Sequence, residues 1–245
     1  MVVDVIIPVY RPEREKLTKL IDWLNKQTVK PSHVFFMQTL VEEKEDEEVL
    51  QMLQKAENVE IVPIEKKDFD HGGTRNKGAA LSKADYMLFM TQDAVPVDAY
   101  LIENLVRAME EEEAATAYGR QLPDDTVGVI EHYTREFNYP AKSYVKSKRD
   151  LETMGIKTYF CSNVCAMYRK DVYEKMGGFV LHTIFNEDMI MASKVIQAGY
   201  KIAYVAEAMV DYQIAINKHS NPLLVDMKSK LERQINELNI PADTK

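Results

Sequence analysis

The sequence is short of several things, and each shortage excludes something. Its 245 residues include two cysteines, one tryptophan and nine glycines. Two thiols, Cys161 and Cys165, are too few for a disulfide framework or a structural zinc site, and they read as reduced thiols of a cytosolic protein. No apolar run approaches the ~18 residues of a spanning helix, so no membrane-crossing segment is expected. Met1-Val2-Val3-Asp4 has no basic stretch and leads straight into strand-like sequence, so no secretory leader is expected. Basic charge is short as well. With 31 Lys and Arg against 39 Asp and Glu, the chain carries −8, the wrong balance for a general nucleic-acid binder.

What remains is ordinary globular material: 46% hydrophobic and 29% charged residues, enough for one large α/β core. The acidity is local. Residues 41–60 hold eight acids and two bases, and Glu110 to Glu113 add four more acids, so the rest of the chain is slightly basic. Both stretches fall on or beside expected surface helices and read as solvated faces.

The order of elements is informative. Val2 to Val9 is a short β-branched run, and Leu17, Leu20, Ile21 and Leu24 recur at helical spacing behind Pro12. Strand patterns follow at His33 to Met37, Val59 to Ile64, Tyr86 to Thr91 and Ala114 to Tyr118. Helical patterns lie between them, around Val49 to Ala56, Gly72 to Ala84 and Tyr100 to Glu112. Such alternation predicts a mainly parallel sheet with helices on both faces and a ligand site beyond the carboxyl ends of its strands. Residues 119–160 predict long loops and short helices. Beyond them a strand is expected over Phe160 to Tyr168, a short helix over Asp171 to Met176, a firm helix over Asp188 to Ala198, and a strand over Lys201 to Val205. Leu223 to Leu238 is amphipathic, fit either to pack or dimerise as a helix or to lie on a bilayer.

Polar clusters sit at the expected strand ends. In Phe69-Asp70-His71-Gly72-Gly73-Thr74-Arg75-Asn76, the glycines allow close backbone approach, the helix start offers N–H groups to an anion, and Arg75 can clamp a phosphate. The role of His71 stays open. Asp93, closing Thr91-Gln92-Asp93, either begins a turn or cap or reaches a divalent cation such as Mg²⁺ or Mn²⁺. Asn186-Glu187-Asp188 opens the firm helix: Asn186 as N-cap with dipole-favoured acids after it, or a general base at the mouth of the sheet.

These blocks, with Ile6-Ile7-Pro8-Val9-Tyr10, Gly119-Arg120-Gln121-Leu122-Pro123, Gly177-Gly178-Phe179 and Ala198-Gly199-Tyr200, resemble the inverting family 2 glycosyltransferases of the GT-A fold. Among these the chain looks most like bacterial rhamnosyltransferases of polysaccharide assembly. The blocks run in order over roughly residues 2–210.

The resemblance implies a GT-A domain over residues 1–210, with a nucleotide-binding half (1–118), an acceptor half (119–210) and a helical extension (211–245). It implies a nucleotide-diphospho-sugar donor, Mg²⁺ or Mn²⁺, and a glycan or lipid-linked acceptor, with work in the cytoplasm at the inner membrane face. Pro8, Tyr10, Glu42, Glu43, Asp70, Arg75, Asn76 and Gln92 would belong to the donor side. Asp93 would hold the metal, Asp188 would be the catalytic base, and Arg120, Asn163 and Glu187 would lie on the acceptor side. The chain departs from the pattern where Asp211-Tyr212-Gln213-Ile214-Ala215 stands in place of a His-Ser-His-Asn-Tyr-like block. That departure keeps a second reading in view, a relative that binds donor or partner without turnover.

Overall fold

A computed structural model describes residues 1–122, 135–183 and 186–212. Its frame is a single mixed sheet in the order β3-β2-β1-β4-β8-β6-β9-β5, with β7 also on β9. The parallel part is β1 (Val3–Val9), β2 (His33–Thr39), β3 (Val59–Ile64) and β4 (Tyr86–Met90), in register at Ile6↔Phe35 and Ile6↔Phe89. Strands β1, β2 and β4 are covered on both faces, which is why they read as almost unbroken apolar runs, while the edge strand β3 is buried only at Ile64.

Side-chain alternation divides the core into two layers. Val5, Ile7 and Val9 of β1 join Leu88 and Met90 of β4 on one face, while Ile6 joins Met87 and Phe89 on the other. The first face is covered by α1 (Arg14–Asn25), α2 (Glu43–Leu53) and α4 (Leu101–Glu111), through Leu17, Leu20, Leu24, Val49, Leu53 and Leu105. On the opposite face lie α3 (His71–Leu81) and, after the four-residue α5 (Leu151–Met154), α6 (Lys170–Lys175) and α7 (Glu187–Gln197). The α1 stripe is the one the sequence spacing predicts. Gly78 seats α3 on β1, since a Cβ there would stand 2.5 Å from Ile6 Cγ2.

The second half departs from simple alternation. The strand expected from Phe160 begins only at Cys165: β8 (Cys165–Arg169) runs antiparallel to β4 and to β6 (Ala114–Leu122). Residues before it form a turn closed by Cys165 N–H on Ser162 C=O, at 3.2 Å. The last strand, β9 (Lys201–Asp211), runs past the expected end at Val205. Its register against β6 jumps from Gly119↔Val205 to Arg120↔Met209, a bulge that lets it bend and continue. Gly119 makes room for it, because a Cβ would stand 2.5 Å from Ala208 O. The first part of β9 pairs with β7 (Tyr144–Lys146) and its end with β5 (Val95–Pro96). Among the described residues no helix is long and apolar enough to cross a membrane. The Leu223 to Leu238 stretch, and the rest of the chain from Gln213 onward, lie outside the described residues.

Candidate active site

The carboxyl ends of β1 and β4 are tied by a side chain. Gln92 accepts a hydrogen bond from Tyr10 N–H at 2.7 Å and donates one to Tyr10 C=O at 2.9 Å, extending the β1–β4 pairing beyond the last strand residues. Pro8 precedes it in β1, and the Tyr10 ring stands exposed at the rim. Beside it, Arg11 adopts φ 41°, placing its guanidinium 3.7 Å from Glu45. A small cleft between the ends of β1 and β2 is lined by Val9, Arg11, Gln38, Thr39, Val41 and Asp46. The Thr39 hydroxyl is buried there without a hydrogen-bond partner.

Sequence reasoning passed over Asp46. It closes the β2–α2 turn, both carboxylate oxygens accepting from Val41 N–H at 3.1 and 3.0 Å, while its C=O takes Gln38 Nε2 at 3.1 Å. Glu42 and Glu43, expected on the donor side, are exposed at the start of α2 and make no side-chain cap. The signal for Asp46 was its place in the helix's first turn, masked by five acidic neighbours from Glu42 to Glu48.

Asp93 lies in the turn after β4, closed by Ala94 N–H on Thr91 C=O at 3.2 Å, rather than at a helix start. Burial pushes its carboxyl above the usual carboxylate range. Among the described residues no group of three or more His, Cys, Asp and Glu side chains converges. One desolvated carboxylate fits a hard cation that brings most of its oxygens with a diphosphate, not a dedicated protein cage.

The glycine-rich segment is used differently from the expectation. Asp70 caps α3 by accepting Gly73 N–H at 2.6 Å, and also accepts His182 N–H at 2.9 Å. Thr74 N–H goes to Asp70 C=O, so two N–H groups expected to face an anion are used internally. Gly72 allows Val180 to press on the helix start, where any side chain would overlap its carbonyl oxygen. Asn76 holds the same loop: its Oδ1 accepts from Phe179 N–H at 2.9 Å and Tyr173 OH at 2.5 Å, and its Nδ2 donates to Phe179 C=O at 2.9 Å. Arg75, expected as a phosphate clamp, is instead buried against Glu187, with 3.3 Å between Nη1 and Oε1. His71 is exposed and packs edge-on to Phe69.

Glu187 and Asp188 open α7. Asn186 precedes them in the left-handed region, φ 68°, and does not cap the helix through its side chain as expected. Asp188 is half-buried; its Oδ2 accepts from Asn163 N–H at 3.1 Å and its Oδ1 from Met189 N–H at 2.8 Å. Burial pushes its carboxyl up, the negative charge of Glu187 adds to this, and both amides and Arg75 oppose it. The Asn163 side chain accepts from Tyr168 OH at 2.9 Å, and Glu187 Oε1 stands 3.5 Å from its Nδ2. Hence the turn that delays β8 is what presents Asn163 to Asp188.

Arg120 donates to Tyr139 C=O at 3.2 Å, and Gln121 links Ser162 Oγ, at 3.0 Å, with the guanidinium of Arg135. Lys146, unmarked in the sequence, is fully buried and donates to Tyr118 OH at 3.2 Å and to Phe160 C=O. Cys161 and Cys165 are buried, their thiols pushed up to about 12 by desolvation, and are inert packing groups.

The family model described as "Glycosyl transferase family 2" matches residues 4–177. The chain belongs to that family. Two curated relatives bear on it. The O-antigen chain rhamnosyltransferase RfbN of Salmonella typhimurium is 42% identical over 211 residues, covering 86% of this chain and 66% of the relative. The O-antigen chain rhamnosyltransferase WbaN of Salmonella anatum is 37% identical over 206 residues, covering 84% and 64%. The chain thus spans about two thirds of the length of these relatives. Solved structures show the same fold at low identity. TarS 1-349 from S. aureus in complex with UDP-GlcNAc has TM-score 0.68 at 17% identity, covering 90% of this chain and 60% of that one. The mannosyltransferase PcManGT from Pyrobaculum calidifontis, in complex with GDP-Man and Mn²⁺, has TM-score 0.65 at 13% identity, covering 98% and 64%. The fold of this family 2 chain is therefore GT-A, as the motif order implied, with antiparallel pairs joining β8 to the parallel part.

Proposed function

We propose that this chain is an inverting glycosyltransferase that moves rhamnose from a dTDP-sugar to an acceptor hydroxyl in bacterial polysaccharide synthesis. The observation that carries this reading is Asp188: a half-buried carboxylate at the head of α7, oriented by two backbone N–H groups and raised in proton affinity. A carboxylate so placed accepts the acceptor's hydroxyl proton as that oxygen attacks the anomeric carbon from the face opposite the leaving diphosphate. The bond from the anomeric carbon to the diphosphate oxygen breaks, and dTDP leaves with the electron pair. The nucleoside end is assigned to the cleft at β1 and β2, where the unpartnered Thr39 hydroxyl and the Tyr10 rim supply polar and aromatic contact. Asp93 would hold Mg²⁺ or Mn²⁺, which supplies charge stabilisation to the leaving diphosphate.

Residues 1–118 form the donor half in this reading, and residues 119–210 the acceptor half, with Arg120 and Asn163 beside the glycan or lipid-linked acceptor. The relatives' printed names support the sugar, and the solved neighbours with UDP-GlcNAc and GDP-Man support a nucleotide-sugar donor. A thermal-shift screen of dTDP-rhamnose, UDP-GlcNAc and GDP-mannose, with and without Mn²⁺, tests the donor assignment. The expected result is selective stabilisation by dTDP-rhamnose. Asp188→Asn should lower transfer by at least ~100-fold while leaving donor binding intact. Full transfer in that variant would remove Asp188 from the role.

A further inference from the structure

Arg75 and Glu187 sit on different helices, α3 and α7, and are 5% and 6% exposed. The guanidinium stands 3.3 Å from the Glu187 carboxylate and donates to His71 C=O at 3.0 Å, while its Nε is buried with no hydrogen-bond partner. Neither charge is placed to meet solvent. Glu187 is next to Asp188 in the chain, and its negative charge disfavours ionisation of Asp188. A buried cation paired with Glu187 offsets that repulsion.

We propose that Arg75 and Glu187 act together as positioning residues for Asp188, setting the charge it experiences as proton acceptor, and touch neither donor nor acceptor. The inference rests on reading Asp188 as the base. The groups facing Asp188 divide clearly. Glu187 on its own helix opposes its ionisation, and Arg75 from α3 favours it. Cys161 from the turn before β8, Tyr168 from β8 and Tyr139 also face it, and burial keeps all three neutral. Glu187 and Arg75 therefore act on Asp188 in opposite senses. The Glu187–Asn163 contact adds a steric link, since Asn163 N–H is the group that holds Asp188 Oδ2.

Opposite signs make the test sharp. The carboxyl carbon of Asp188 is titrated by ¹³C NMR in the full chain, its resonance assigned by its loss in Asp188→Asn. Glu187→Gln should lower the midpoint and Arg75→Met should raise it, each by about one pH unit. The double variant should return near wild type. The acid limb of kcat for transfer from dTDP-rhamnose should move the same way in each, with KM for the donor little changed. Removing one member of a buried pair can unfold a protein; if Arg75→Met does not fold, Glu187→Gln and the double variant still decide the matter. Midpoints that stay put, or move in one direction in all variants, would overturn the inference while Asp188→Asn is still inactive. Full transfer by Asp188→Asn would instead overturn the base assignment beneath it.

Discussion

Gln92 holds Tyr10 by both backbone groups, donating to its C=O at 2.9 Å and accepting its N–H at 2.7 Å. A side chain thus performs the work of one more strand residue at the place where β1 and β4 diverge. Gln92→Ala should cost about 1–2 kcal/mol of stability, as two partly exposed hydrogen bonds do. Because Tyr10 then loosens at the rim, KM for the donor should rise several-fold more than kcat falls. Urea denaturation and donor saturation curves check this, and an unchanged KM would separate the contact from binding.

Gly72 meets the Val180 carbonyl, and backbone oxygen cannot swing aside as a flexible side chain would. Gly72→Ala should therefore destabilise by about 1–3 kcal/mol despite alanine's better helix propensity. The loss should be local. Amide exchange should quicken at Phe179 and His182, whose N–H groups bond to Asn76 and Asp70. A variant as stable as wild type would mean that the loop accommodates the methyl group.

Asp93 has its carboxyl pushed up by burial, so its ionised form is unfavourable in the folded chain. That cost is fully present above the raised value and disappears as pH falls below the ordinary carboxylate range. Asp93→Asn should leave thermal stability at neutral pH equal or higher. It should also abolish the extra stabilisation that Mn²⁺ gives to dTDP-rhamnose binding. Persistence of the Mn²⁺ effect would place the cation elsewhere.

Lys146 is pulled down from 10.5 to about 8 by desolvation. Between those values the unfolded chain binds the proton and the folded chain does not, so this residue makes stability rise with pH across that window. Relative to Lys146→Met, wild type should gain up to about 3 kcal/mol from pH 8 to pH 10.5. Denaturant titrations of both proteins along that range read the difference directly. A constant difference would show that the amine titrates normally.

Periodic burial was legible from the residues, and long-range pairing was not. Leu17, Leu20, Ile21 and Leu24 announce α1 because each is decided by neighbours three or four residues away. The strand-end placement of Tyr10, Gln92 and Asp93 followed equally from element order. The pairing of Arg75 was not legible: its counterion, Glu187, lies on another helix, and a glycine-rich turn made phosphate the nearer explanation. The residues at 161–164 look strand-like by alternation, yet tertiary hydrogen bonding to Asp188 makes them a turn. Lys146 gave no signal, since a lone lysine among aromatics resembles any loop until Tyr118, Tyr144 and Phe160 close round it.

The bend in β9 matters beyond the strand itself. By shifting register at Gly119, the strand brings Val210 and Asp211 alongside Pro96 and Val95, two residues beyond Asp93. The end of β9 is thereby anchored, through β5, to the turn that carries Asp93, so a side chain forced in at Gly119 should disturb that carboxylate from across the sheet.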